Sequence, residues 1–95
     1  MVYFIATVFF SKTDDIKSYR RYTELVKPIV KRHNGHYITR SEKITALSND
    51  WTPDRVIIIA FDNKEQLRSC FSSPEYSAIA ALREASVRSS AIIIE

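Results

Sequence analysis

Asn49-Asp50-Trp51-Thr52-Pro53-Asp54-Arg55 runs without a break into Val56-Ile57-Ile58-Ile59-Ala60-Phe61, and this passage decides the fold. Its first half is turn chemistry, rich in Asn, Asp, Thr and Pro and carrying the only tryptophan. Its second half is a strand whose apolar residues fall at consecutive positions. A strand with one wetted face alternates apolar and polar residues, so this one needs cover on both faces. The opening run Val2 to Phe10 and the run Ala91-Ile92-Ile93-Ile94 share the property. A sheet built from them carries a second apolar face that a monomer would leave in water.

Working outward, His36 to Arg40 alternates like a strand, Ser41-Glu42-Lys43 reads as a bend or bulge, and Ile44 to Leu47 resumes the extended pattern. Upstream, Thr13 is a good N-cap, and Asp14 and Asp15 place negative charge in the first helical turn. Ile16, Tyr19, Thr23, Val26, Ile29, Val30 and His33 then form one apolar stripe. Pro28 lies inside it and predicts a kink or a break near Glu24. Asn34-Gly35 stops the helix, with Gly35 expected in the left-handed conformation. Downstream, Asn63 with Gln66 opens a short helix carrying Leu67, Cys70 and Phe71. Ser73 caps again, Pro74 takes the first helical position, and the next helix carries Tyr76, Ile79, Ala80, Leu82 and Arg83, with Ser86 on the same pattern.

The order strand, helix, strand, strand, broken helix, strand is the split βαβ pattern. The fold class is therefore α+β: ferredoxin-like βαββαβ, a four-stranded antiparallel sheet with helices on one face, in a single domain over 1–95. The simplest cover for the second face is another copy of the chain, which predicts a homodimer built as a dimeric α/β barrel.

Composition narrows the function. Fourteen Lys+Arg against eleven Asp+Glu give a net charge of only +3, and the basic residues are dispersed, which argues against nucleic acid as a partner. An RNA-binding sheet needs solvent-facing aromatics on its central strands, and the Arg55–Phe61 strand offers only Phe61, at its end. With one glycine in the chain, Gly-rich phosphate loops are excluded. The apolar opening run falls far short of the ~20 residues a membrane helix needs, so no membrane partner is expected. One cysteine, Cys70, forms no internal disulfide and reads as a small buried hydrophobe in a cytoplasmic protein.

Several of these motifs occur together in a known family. Tyr22, Pro28-Ile29-Val30, Asn34-Gly35-His36-Tyr37, Arg40, Trp51-Thr52-Pro53-Asp54-Arg55, Phe61, Ser73-Pro74-Glu75-Tyr76 and Arg83 span nearly the whole chain. In this combination the sequence resembles the family catalogued as domain of unknown function 1330, within the dimeric α/β-barrel superfamily. It departs from the family at Asn34-Gly35, where a double glycine is usual, near Asn49, where a glycine is usual, and after the last strand. The resemblance implies the barrel fold and the dimer, and leaves the activity open.

Each candidate residue carries a chemical and a structural reading. Trp51 walls a ligand cleft, or packs at the sheet edge or dimer contact. Arg55 binds a carboxylate, or pairs with Asp50 or Asp54. Ser73-Pro74-Glu75 reads as a well-capped helix start, where Glu75 would repel an anion, whereas the Tyr76 hydroxyl can reach between helix and sheet. Arg83, seven residues after Tyr76 and on the same helical face, pairs with a buried carboxylate or binds an anionic ligand, with Arg40 as a partner. His33 is a general base or a cation at a helix end. His33 and His36 straddle a helix stop, so no metal site is expected. Tyr22, displaced from the apolar stripe, contributes a phenol to a cleft.

The expected ligand-binding set is thus Tyr22, Arg40, Trp51, Tyr76 and Arg83, with Arg83, Tyr76 and His33 as catalytic candidates. The function read from them is binding or conversion of a small aromatic or acidic organic molecule in a cleft between sheet and helices, by acid/base chemistry with no cofactor and no metal. The competing reading is a non-catalytic dimeric binding or scaffold module.

Overall fold

The computed structural model of the chain describes residues 1–11 and 15–95. Its elements are β1 (Val2–Phe9), α1 (Ile16–Arg32), β2 (His36–Ser41), β3 (Arg55–Phe61), α2 (Lys64–Phe71), α3 (Pro74–Glu84) and β4 (Arg88–Ile94). The strands form one antiparallel sheet in the order β2-β3-β1-β4. Of the three strands with consecutive apolar residues, β1 and β3 occupy the centre, where each has a partner on both sides, and β4 lies at an edge.

Register sorts the side chains onto two faces, because directly paired residues of antiparallel strands point the same way. Phe4 pairs with Ile59 and Ile93, and Ala6 with Ile57 and Ala91, and these lie on the helix side. Tyr3, Ile5, Thr7, Val56, Ile58, Ile92 and Ile94 make the open side. The core lies under the helices: Val2, Val8, Tyr19, Tyr22, Val26, Ile29, Val30, Ile59, Phe61, Leu67, Cys70 and Tyr76 form one buried cluster. Phe61, the aromatic that closes β3, is fully buried in it.

Asp15 is the N-cap of α1, its carboxylate accepting from the Ser18 N–H at 3.1 Å. It therefore precedes the first turn instead of lying within it; Thr13 and Asp14 lie outside the described residues. The break expected near Glu24 does not occur. Helix α1 continues through Pro28, which sits on the exposed side while Tyr19, Tyr22, Val26, Ile29 and Val30 bury the other. A solvent-side carbonyl that loses its partner can turn to water, so tertiary burial holds the helix across the proline.

The helix stop differs from the expectation in one residue. The left-handed conformation falls on Asn34 (φ 61°), not on Gly35. Gly35 serves close approach instead: a Cβ there would lie 2.6 Å from Val30 Cγ1 and 2.9 Å from Phe61 Cε1. In β2, Ile38 is the extra residue of a bulge between Tyr37 and Thr39. Ile44 to Leu47 does not continue the strand. Residues 42–54 form an irregular connection with Leu47 fully exposed, because Glu42 is drawn into an ion-pair cluster at the base of the connection. The far end is tied by Asp54, whose N–H donates to the Val8 carbonyl (2.9 Å) and whose carboxylate accepts from the Phe10 N–H (2.7 Å).

Helices α2 and α3 start as read. Asn63 Oδ1 accepts from the Gln66 N–H at 2.9 Å, and Ser73 Oγ from the Tyr76 N–H at 3.1 Å, with Pro74 in the first turn. Ser86 lies just beyond α3, and β4 begins at Arg88, earlier than its apolar run.

Candidate functional site

Three of the five expected ligand-binding residues meet. The seven-residue spacing on α3 stacks Tyr76 and Arg83 on one face, and α1 brings Tyr22 against them. The Tyr22 and Tyr76 hydroxyls are hydrogen-bonded at 2.9 Å, and Arg83 Nε donates to the Tyr76 oxygen at 3.4 Å. Arg83 Nη1 donates to Ser89 Oγ on β4 at 2.8 Å, and Nη2 lies 3.6 Å from the exposed Glu84 carboxylate. Arg83 thus does not meet the buried carboxylate anticipated for it; its main partners within the chain are hydroxyls. Burial, then the neighbouring Tyr76 phenol, raises the Tyr22 pKa well above that of a free phenol, so Tyr22 stays protonated.

Rings extend this contact in both directions. Tyr22 stacks on Tyr19 at 6.1 Å between centroids, and Tyr76 sits edge-on to Phe71 at 5.1 Å. Both outer rings line a cavity of about 50 Å³ between α1 and the sheet. Its other walls include Phe4, Tyr37 and Ile59, and its polar side chains include Thr23, Arg40 and Arg55. The cavity therefore lies one ring away from the Tyr22–Tyr76–Arg83 contact.

The Arg55 side chain is only 12 % exposed. Its Nη1 donates to Glu42 Oε2 at 2.9 Å, while its Nε is buried with no hydrogen-bond partner. Asp50 and Asp54, the partners anticipated for it, are not used: Asp54 is engaged with β1. Glu42 is shared with Arg20 on α1, through two bonds of 2.5 and 2.9 Å. The Arg20 bonds, and secondarily Arg55, hold the Glu42 carboxyl below its ordinary pKa. Burial raises the pKa of Tyr19, with Arg55 acting in the opposite direction. Arg40, on the exposed edge of β2, lies over the Tyr37 ring at 4.8 Å.

Trp51 stands apart from all of this. It is 58 % exposed and lies on the open face, beside Ile5, Thr7 and Ile92. His33 is the C-cap of α1, with its Nδ1 3.0 Å from the Ile29 carbonyl, at the far end of the helix from Asp15. Cys70 is completely buried, and burial followed by the Glu75 charge pushes its thiol up to about 11. Sequence reasoning missed Glu42, Arg20, Tyr19 and Tyr37 as parts of one site. Ser89 was missed as well, because it lies in the polar start of β4, Arg88-Ser89-Ser90, ahead of the apolar run.

The model of one protein family matches residues 1–95. The chain belongs to the family described as domain of unknown function DUF1330. Comparison with functionally curated proteins finds no match. Among solved structures, this DUF1330 chain is similar to RPA0582, a protein of unknown function from Rhodopseudomonas palustris, with 17% identity and a TM-score of 0.84, covering 98% of this chain and 79% of that one. A dimeric ferredoxin-like protein of unknown function from Jannaschia sp. CCS1 matches at 10% identity and a TM-score of 0.81, over 99% and 97% of the two chains. SnoaB, a cofactor-independent oxygenase from Streptomyces nogalater, matches at 14% identity and a TM-score of 0.66, over 99% and 90%. At these identities the likeness establishes the ferredoxin-like fold of the DUF1330 chain.

Proposed function

We propose that this protein is a homodimer whose protomers each bind a small organic acid in the cleft between α1 and the sheet. The acid is a monocarboxylate with a short apolar body, in keeping with a cavity of about 50 Å³. The observation that carries this reading is the Arg55 Nε–H, buried in the wall of a largely apolar cavity without an acceptor. A buried donor left unpaired costs about 1–3 kcal/mol, and a carboxylate oxygen removes that cost. Arg40 supplies a second cation to the cleft, and Phe4, Tyr37 and Phe71 supply the apolar surface. The local charge favours an anion, since Arg40 and Arg55 line the cavity and the nearby carboxylate of Glu42 is shared between Arg20 and Arg55. The phenols of Tyr19 and Tyr22 have raised pKa values, so they act as hydrogen-bond donors, not bases. Tyr76 and Arg83 fix Tyr22, and through the ring contacts hold the cavity walls Tyr19 and Phe71 in place.

Calorimetric titration with acetate and propionate, against ethanol and propanol, tests the site. Only the acids should bind, and Arg55→Gln should weaken them by about 10- to 100-fold, the range of a hydrogen bond to a charged group. Equal binding of the alcohols, or full affinity in R55Q, refutes the cleft reading.

The homodimer rests on the open face. Ile5, Ile58, Ile92, Ile94 and Trp51 form there the kind of contiguous apolar surface that monomers avoid. The likeness to a dimeric ferredoxin-like protein supports it. Sedimentation equilibrium should give a dimer, and Ile92→Asp should dissociate it while leaving the helical circular dichroism intact. A stable dimer that binds none of the acids would leave the scaffold reading standing.

A further inference from the structure

The cavity between α1 and the sheet offers more than cations. Tyr19, Thr23 and Val26, spaced by four and three, bring one face of α1 onto it, opposite helix-facing side chains of β1 and β3. Among its polar groups, the guanidinium N–H groups of Arg40 and Arg55 only donate. The phenols of Tyr19 and Tyr37 keep their hydrogens, since burial raises both pKa values. Thr23 differs from all four. Its hydroxyl hydrogen is committed to the Arg20 carbonyl on the preceding turn, at 2.7 Å. A hydroxyl oxygen has two acceptor positions, so Thr23 Oγ1 enters the cavity wall as an acceptor. The wall thus combines donors suited to a carboxylate with an oxygen that calls for a donor on the ligand.

We propose that the ligand is a short 2-hydroxy acid, with its carboxylate on the Arg55 Nε–H and its hydroxyl donating to Thr23 Oγ1. This rests on the reading of the cleft as an acid site and deepens it by naming the substituent that the acid carries. Cavity size fixes the position of that substituent. A space of about 50 Å³ holds few heavy atoms, so a hydroxyl within reach of Thr23 sits on the carbon beside the carboxylate. Charge fixes the kind of donor. Arg40 and Arg55 both line the space, and two guanidinium groups repel the ammonium of an amino acid but not a neutral hydroxyl. Hydrogen count fixes the direction of the bond. An oxo group in the same place would bond Thr23 only if that hydroxyl gave up the Arg20 carbonyl, whereas a ligand hydroxyl leaves the helix bond intact.

The test uses the full chain and two probes of equal size, glycolate and propionate, which differ by a hydroxyl in place of a methyl group. Calorimetry on the wild type should show glycolate binding more tightly than propionate. Thr23→Val keeps the shape of the side chain and removes the oxygen. It should lower the ratio of glycolate to propionate affinity by about 5- to 100-fold, because the glycolate hydroxyl then lies desolvated without its acceptor. Thr23→Ser, which keeps the oxygen, should retain the preference for glycolate, so a ratio lost in T23V alone reports the hydroxyl and not a disturbed fold. Glycine, which carries an ammonium where glycolate carries the hydroxyl, should bind more weakly than glycolate. Propionate preferred by the wild type, a ratio unchanged in T23V, or a preference lost in T23S overturns the hydroxy-acid assignment while leaving the acid site standing. Glycine binding as tightly as glycolate overturns the choice of hydroxyl over ammonium. If neither glycolate nor propionate binds the wild type, the cleft reading itself fails and takes this inference with it.

Discussion

Replacing Tyr76 by Phe removes one oxygen atom, and the structure says how its loss should differ from the same change at Tyr22. The Tyr76 oxygen stands at the centre of the contact, bonded to the Tyr22 hydroxyl at 2.9 Å and to Arg83 Nε at 3.4 Å. In Tyr22→Phe, the Tyr76 hydroxyl keeps Arg83, so the loss is that of one ordinary hydrogen bond, about 1 kcal/mol. In Tyr76→Phe, the buried Tyr22 hydroxyl loses the partner it has, which costs about 1–3 kcal/mol. Arg83 adds little to this, since it is partly exposed and retains Ser89. The expected order is about 1 kcal/mol for Y22F and about 2 kcal/mol for Y76F. The double variant has no stranded phenol, so it should cost no more than Y76F alone, a non-additivity of about 1 kcal/mol. For a chain of this size, each kcal/mol moves the melting temperature by about 4–8 °C. Urea unfolding followed by circular dichroism, at one fixed protein concentration so that self-association contributes equally, measures all three. Additive single effects, or a Y22F cost at least equal to that of Y76F, would show that Tyr76 is not the shared partner.

Three further outcomes follow. Gly35→Ala should destabilise by about 1–3 kcal/mol through overpacking against Val30 and Phe61, whereas Asn34→Gly should be close to neutral because the left-handed position is at 34; chemical denaturation of the two variants side by side separates contact from conformation. Because the Glu42 carboxyl is held below its ordinary value of 4.5 in the folded chain, its contribution is present above that value and is lost as pH falls through the lower folded one. The stability difference between wild type and E42Q should therefore shrink in acid, and a difference unchanged by acid would sink the assignment. Cys70, buried and with its thiol pushed up to about 11, should react with an aromatic disulfide reagent at pH 8 many times more slowly in the native protein than in urea; equal rates would mean that the thiol is accessible.

The fold was legible because its signals are local or periodic. The apolar runs marked β1, β3 and the end of β4 as strands, and Asn63, Ser73 and Pro74 marked helix starts within reach of their own side chains. The errors share one cause, a tertiary contact overriding a local preference. Pro28 disfavours a helix, but five buried residues of α1 lie on either side of it. Ile44 to Leu47 has strand composition, but Glu42 is turned toward Arg20 and Arg55. Gly35 suggested a left-handed turn, and the reason for glycine there is instead the Phe61 ring, 26 positions away. The candidate site divides the same way. Tyr76 and Arg83 could be placed together because seven residues make two helical turns. The meeting of Arg20, Glu42 and Arg55 has no local signature, since it requires three elements to be packed first.

The two margins of the sheet differ in how they resist unwanted pairing. Strand β2 is polar and broken by the Ile38 bulge, and bulges are one way in which proteins blunt an edge. Strand β4 pairs with β1 in unbroken register and ends in Ala91-Ile92-Ile93-Ile94, a β-branched run with no charge and no proline. Such a segment is a template for stacking once exposed. In the proposed homodimer, a neutral substitution that separates the protomers should yield aggregates, whereas a charge placed at Ile92 should both separate them and act as a gatekeeper within the vulnerable run.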